Sequence, residues 1–405
     1  MPVLISPAFS RLTAYRAGIT LAYQILTVTA GWHIYALTHD VVTLGLIGLA
    51  EVIPYFGLSL FAGHAVDVLP KKRLAWLGCA CYGAVAVLMA WLSARDGASS
   101  AAIYGAMALA GTARSLLRPS YSAILVRIIE RDQLARATAI GTVVFQAALV
   151  SGPLLGGLLI AWAGVGAAYL ATGVLAAAAA LALRRLSVQE TAPVNTGLSM
   201  MGSIREGLRF VTSTQVMLAA MALDMFAVLF GGAVGVLPAF IHEVLNGSPQ
   251  TLGLLRAMPA AGSVIVGLWM TRRPIHQHSG KWLLLSVAAF GVSIIGFGLS
   301  DSLWLAAIFL FASGLFDGVS VVLRQTIVQL VTPRQMQGRV TAINGLFIGS
   351  SNEIGALESG FAAQWLGLVP SIVFGGSMTL AIVAIAWVLA PQLRGLHLRD
   401  LHTRI

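Results

Sequence analysis

The residues with the clearest capacity for chemistry are charged side chains inside long apolar segments. In the segment 302–330, Asp317, Ser320 and Arg324 are separated by three and four residues, which places them on one face of a helix. A charge at the centre of a bilayer costs about 2.5–3.5 kcal/mol on insertion scales. Each such residue is therefore a candidate for a functional role, and the acid is a candidate proton carrier.

A second apolar segment, 101–127, carries two cations on one face. That face consists of Arg114, Arg118 and Tyr121. Other apolar segments add polar side chains: Tyr23, Gln24, Thr27 and Asp224. Burial raises the pKa of a carboxyl group and a nearby arginine lowers it, so an acid beside an arginine can exchange its proton when its surroundings change.

These patterns predict proton coupling at Asp317, Asp224 and Arg114. We expect Arg324 to be the partner of Asp317, and we expect Asp224 to need a partner on another helix. The remaining residues are predicted to line a substrate cavity: Tyr23, Gln24, Thr27, Arg118, Tyr121, Ser320 and Arg324.

Four further charges lie within apolar segments: Glu51, Arg256, Glu353 and Glu358. They are expected either to act in gating or to form structural salt bridges. Glu353 and Glu358 are five residues apart, which is about 140° around a helix, so they cannot share one task.

The elements that must position these residues are about twelve apolar segments, each long enough to cross a bilayer of about 30 Å as a helix. They lie near 12–37, 42–66, 74–94, 101–127, 134–162, 165–183, 215–242, 250–271, 281–300, 302–330, 339–366 and 370–390. Hydrophobic residues make up 58% of the chain and charged residues 10%, against about 25% charged in soluble domains. The sequence predicts an all-α membrane protein with twelve transmembrane helices.

The basic residues follow the alternation of the loops. Of the 25 Lys and Arg, 20 lie near the start of the first segment, in or at the edges of alternate loops, or after the last segment, whereas the opposite loops carry only Arg95. By the positive-inside rule, both termini are predicted to be cytoplasmic. Because the cations follow topology, the net charge of +10 does not indicate nucleic-acid binding.

No pattern for an enzyme or a cofactor is present. Cys79 and Cys81 lie inside one apolar segment and point to different helix faces, which fits buried small residues rather than metal ligands. No phosphate-binding loop, Gly-x-Ser-x-Gly elbow or His-rich cluster is found. We therefore expect no catalytic residue, no metal and no cofactor.

The chain divides into two similar halves at an offset of about 204 residues. Leu49–Gly57 matches Leu254–Gly262, with Glu51 opposite Arg256. The predicted domains are 1–185, a cytoplasmic linker at 186–214, and 215–405. Within the linker, Ser203 and Glu206 are typical of a capping box at the start of a short amphipathic helix. Parallel six-helix repeats favour a site between the halves and alternating access over a fixed pore.

Three motifs resemble those of the major facilitator superfamily. Gly63–Asp67 followed by Lys71-Lys72-Arg73 resembles its loop signature between helices 2 and 3, although Val68 and Pro70 replace the usual Arg and Gly. Gly111–Arg114 resembles a signature associated with proton coupling. Gly152-Pro153-Leu154-Leu155-Gly156-Gly157 resembles the antiporter signature, and Trp32–Thr38 resembles the enterobactin-exporter-like branch.

The resemblance implies two six-helix bundles around a cavity lined by the first, fourth, seventh and tenth of the twelve predicted segments. It implies gating or structural roles for the motif residues: Asp67, Lys71, Lys72, Arg73, Gly152, Pro153, Gly156 and Gly157. The resulting hypothesis is a monomeric exporter in a bacterial inner membrane that exchanges protons for a small organic molecule, such as a siderophore or a drug-like amphiphile. The alternative is a proton-independent facilitator or lipid flippase of the same fold.

Overall fold

The computed structural model describes residues 6–95, 97–130, 133–186, 200–273, 275, 277–333 and 336–398, and these form helices without strands. The predictions for the side chains of Asp67, Arg118 and Glu353 lie outside the described part of the structure. The α-helices are α1 (Pro7–Thr38), α2 (Val41–Val68), α3 (Lys71–Ser93), α4 (Ser100–Ile128), α5 (Leu134–Arg184), α6 (Met200–Ser213), α7 (Gln215–Phe230), α8 (Leu237–Glu243), α9 (Pro249–Arg272), α10 (Ser279–Gly298), α11 (Leu303–Val331), α12 (Gln337–Leu366), α13 (Leu368–Leu389) and α14 (Pro391–Arg394).

Local sequence signals fix several helix ends. Ser6 caps α1 by accepting a hydrogen bond from the backbone N–H of Phe9 at 3.2 Å, and Pro7 occupies the first turn. Ser99 caps α4 in the same way through Ala102 at 3.3 Å. These side-chain oxygens satisfy backbone donors that have no partner within the helix.

Eight helical stretches among the described residues are long and apolar enough to cross a membrane. One of them, 136–184, covers two predicted segments, and α5 bends between them at Gly164, whose φ of 79° favours glycine,. The predicted segment 215–242 is interrupted after Phe230, where Gly231 and Gly232 separate α7 from a short 3₁₀ turn and α8. The count of twelve crossings remains a prediction.

The chain forms two compact units. Unit 1 comprises Met1–Asn195 and Asn246–Ala257, and unit 2 comprises Thr196–Leu245 and Met258–Ile405. In unit 1, α1 packs on α5, α2 packs on α4, and α3 packs on both α4 and α5. In unit 2, α10 packs against α11 and α13, while α7 packs against α12 and α13.

The short amphipathic helix is present as α6, but it begins at Met200 rather than at Ser203. Ser203 is therefore inside the helix and cannot cap it, so the predicted capping box is wrong. Val211 at its end is buried in an apolar cluster with Met217 of α7 and Val340 of α12. Arg205, Glu206 and Arg209 are exposed on this helix.

Candidate transport site

An ion pair lies between α2 and α4 in unit 1. The Nη1 of Arg114 is 2.5 Å from Oε1 of Glu51. Only 3% of the Glu51 side chain is exposed, whereas 37% of the Arg114 side chain is exposed. The acid is therefore enclosed by protein, and the arginine connects it to the outside of the unit.

Aromatic side chains surround this arginine. Arg114 donates a hydrogen bond to the hydroxyl of Tyr23 at 2.9 Å, and its guanidinium carbon lies 4.6 Å from the Tyr23 ring centroid and 4.9 Å from that of Tyr55. Tyr82 of α3 is buried close to Glu51 and Arg114, and its hydroxyl has no hydrogen-bond partner among the described residues. The face of an aromatic ring is negative, so the rings help to hold the cation beside the buried carboxylate.

The backbone of α4 makes this pairing possible. A Cβ at Gly111 would collide with the carbonyl oxygen of Glu51 and lie 2.9 Å from its carbonyl carbon. Glycine thus lets α4 touch the α2 backbone one turn before Arg114, which brings the guanidinium to the carboxylate. This contact gives a physical reason for the Gly111–Arg114 motif.

A second ion pair joins α7 and α11 in unit 2. Arg324 Nη1 contacts Asp224 Oδ1, and both side chains are buried. Apolar neighbours enclose the pair: Ala220 and Ala227 lie one turn before and after Asp224, and Ile327 lies one turn after Arg324. A pair in such surroundings is screened far less than one in water.

The interpretation of Arg324 as the partner of Asp317 is therefore wrong. Seven residues separate the two along α11 by about 10.5 Å of helix rise, whereas Asp224 approaches Arg324 from α7. Asp317 is half-buried and makes no ion pair with any other described residue.

The other predicted cavity residues are divided among several contacts. The hydroxyl of Thr27 donates to the backbone oxygen of Tyr23 at 2.8 Å. Tyr121 packs beneath the guanidinium of Arg16 of α1. Gln24 packs against α5, and Ser320 is buried.

The antiporter-like motif of α5 contacts two different helices. A Cβ at Gly152 would lie 2.5 Å from the Cβ of Gln24 on α1, and a Cβ at Gly156 would lie 3.4 Å from the Cα of Ile25 on the same helix. A Cβ at Gly157 would lie 2.5 Å from the backbone oxygen of Pro249, and one at Gly253 would lie 2.6 Å from that of Pro153. Small residues permit this close approach of helix backbones.

The predicted gating residues outside this motif occupy varied environments. Lys72 donates to the backbone oxygens of Arg184 and Leu186 at 2.9 and 2.7 Å, while Lys71 is buried and Arg73 is exposed. Arg256 and Glu358 are half-buried.

Sequence reasoning missed three participants: Tyr55, Tyr82 and Arg16. Tyr55 follows Glu51 by four residues, so the helical spacing was an available signal for it. The other two come from separate helices. No group of three or more potential metal ligands occurs among the described residues.

Comparisons with known proteins agree with this architecture. The family described as transmembrane secretion effector matches residues 12–403. The multidrug efflux pump Tap of Mycolicibacterium fortuitum is 24% identical, with 96% of each chain covered. The enterobactin exporter EntS of Shigella flexneri is 26% identical, over 96% of this chain and 93% of that one.

Solved structures share the fold at low sequence identity. The nucleoside transporter NupG superposes with a TM-score of 0.74 at 10% identity, over 94% of this chain and 99% of that one. A D-xylose–proton symporter gives 0.72 at 9% identity, over 96% and 99%. The all-helical membrane fold predicted from the sequence is thus confirmed, and the chain belongs to the transmembrane secretion effector family of the major facilitator superfamily, whose members are membrane transporters rather than enzymes.

Proposed function

We propose that this protein is a proton-driven exporter of a small organic molecule and that Glu51 is the group that exchanges the proton. The observation that carries the proposal is the Glu51–Arg114 pair, in which a buried acid contacts a partly exposed arginine. The efflux pump and siderophore exporter among the relatives support a drug-like amphiphile or a siderophore as substrate.

The pair can link a proton to a conformational change through its charge balance. An ionised Glu51 accepts the hydrogen bond from Arg114 and neutralises it,. A protonated Glu51 no longer neutralises the arginine, and the substrate is proposed to bind more tightly to the ionised pair than to this protonated form, so that proton and substrate displace each other. Alternating between these two states in each transport cycle lets one proton enter for each release of substrate.

The buried pair in unit 2 is less suited to this exchange. Asp224 and Arg324 are both enclosed by protein, so neither gives the other a path to water. Asp317 is a second proton-carrier candidate, because it is half-buried and makes no ion pair with any other described residue.

The proposed setting is a bacterial inner membrane with both termini in the cytoplasm and a monomeric transporter. The distribution of basic residues supports this orientation,. Arg11 and Arg73 are exposed, which is compatible with contact to lipid headgroups.

The test is transport into everted membrane vesicles against a panel of siderophores and drug-like amphiphiles, with and without a pH gradient. We expect at least one compound to accumulate in a gradient-dependent way. Glu51→Gln should abolish gradient-driven uptake while retaining substrate exchange without a gradient. Glu130→Gln changes an exposed acid and should leave uptake unchanged.

Uptake that persists without the gradient, with the same rate in the wild type and Glu51→Gln, would contradict the proposal. That result would favour a proton-independent facilitator or a flippase.

A further inference from the structure

Arg16 is a second cation in unit 1 that is held by aromatic rings, and it forms no ion pair with a described carboxylate. Its guanidinium carbon lies 4.2 Å from the ring centroid of Tyr121 on α4 and 5.2 Å from that of Phe145 on α5. Three helices, α1, α4 and α5, therefore fix its position.

The N–H donors of this guanidinium are not used by any acid in the described part of the chain. No described carboxylate forms an ion pair with Arg16, and its buried Nε has no hydrogen-bond partner among the described residues. Ring contacts stabilise a cation but satisfy none of its five N–H donors. Arg114 shows the contrasting case, since it has both rings and a carboxylate.

A glycine of α5 lets Tyr121 occupy its position beside Arg16. A Cβ at Gly141 of α5 would collide with the hydroxyl of Tyr121 and lie 3.7 Å from Nη1 of Arg16. The absence of a side chain at this position therefore lets the Tyr121 hydroxyl approach the α5 backbone closely while the Tyr121 ring stays beneath the guanidinium.

The environment of Arg16 differs from that of Arg11, another basic residue on α1. Arg11, five residues earlier on α1, is exposed and donates to the backbone oxygen of Arg185 at 2.5 Å. Arg16 is half-buried and contacts rings from two other helices. The two residues carry the same charge, so Arg11 supplies a matched control.

We propose that Arg16, Tyr121 and Phe145 form a binding site for an organic anion, in which the guanidinium binds a carboxylate or phosphate group and the rings contact its apolar part. An arginine held in place beforehand suits such groups because its planar fork donates two parallel hydrogen bonds. The inference rests on the proposed export function and adds a substrate class to it, namely molecules with an anionic group next to an aromatic or apolar body.

The test uses full-length protein in phosphatidylcholine nanodiscs with two probes of nearly equal shape, benzoate and the uncharged benzamide. We expect benzoate to bind by calorimetric titration and benzamide to bind at least about tenfold more weakly, as a charge-assisted hydrogen bond contributes about 1.5–3 kcal/mol. Arg16→Gln should lower benzoate affinity by about ten- to a hundredfold. Arg16→Lys should restore part of it, and Arg11→Gln should leave it unchanged.

A second arm distinguishes a free anion from a lipid headgroup. Native mass spectrometry of protein from nanodiscs with phosphatidylglycerol should show equal lipid retention in the wild type and in Arg16→Gln if free anions are the ligands. Greater retention by the wild type, with loss of benzoate binding in that lipid, identifies the headgroup as the source of the same anion chemistry.

Equal binding of benzoate by the wild type and by Arg16→Gln, without a lipid difference, would overturn the proposal, as would an equal loss in Arg11→Gln. These binding measurements need no pH gradient. Failure of proton coupling at Glu51 is therefore observed separately from failure of anion binding at Arg16.

Discussion

Removing one member of the Asp224–Arg324 pair should destabilise unit 2, and the two single substitutions should differ in cost. The exposed fractions are 2% for Arg324 and 8% for Asp224, so a charge left alone remains buried. Loss of one partner of a buried pair costs about 3–5 kcal/mol. An aspartic acid left alone can bind a proton and become neutral, whereas an arginine stays charged. We therefore expect the free energy of unfolding to fall by about 5 kcal/mol in Asp224→Leu and by about 3 kcal/mol in Arg324→Leu.

The assay measures unfolding at increasing concentrations of a denaturing detergent, with tryptophan fluorescence as the signal. Asp301→Ala, at an exposed acid, is the control. The double variant Asp224→Leu/Arg324→Leu should recover most of the stability, because apolar replacement of both partners leaves no buried charge. A double variant whose loss equals the sum of the single losses would refute this reasoning. So would a larger loss in Arg324→Leu than in Asp224→Leu.

Three further predictions concern packing, proton transfer and topology. Gly111→Ala should lower the free energy of unfolding by about 1–3 kcal/mol and reduce transport, because the added Cβ collides with the α2 backbone,. Gly105→Ala on the same helix is the control, since its Cβ meets nothing within 4 Å. Equal thermal stability of the two variants would contradict the argument. Asp317→Asn should weaken pH-gradient-driven export in proteoliposomes while leaving substrate binding intact, and unchanged coupling would assign Asp317 a structural role. A cysteine at Asn195 should react with impermeant maleimide only from the cytoplasmic side and one at Asp96 only from the opposite side, and the reverse pattern would overturn the orientation.

The helices were predictable because their signal is local. A run of about 20 apolar residues suffices to indicate a span, whereas the break that follows α7 at Gly231 and Gly232 lies inside the single predicted segment 215–242. The bend at Gly164 lies between two predicted segments, which the structure joins into the single bent helix α5.

The partners of the charged residues were not predictable in the same way. Asp317 and Arg324 share a face of α11, yet Arg324 contacts Asp224 of α7. Glu51 pairs with Arg114 because Gly111 brings α4 against the α2 backbone. Such pairs depend on the rotation and separation of neighbouring helices, which the spacing along a single helix does not contain.

The central claim is that substrate binding displaces a proton from Glu51, and the most direct measurement is proton release by the purified protein in weakly buffered solution. The compound identified in the vesicle panel is added, and a pH indicator reports protons released per protein. We expect release by the wild type and by Glu130→Gln, and none by Glu51→Gln. Equal release by the wild type and by Glu51→Gln would contradict the assignment of the proton to Glu51.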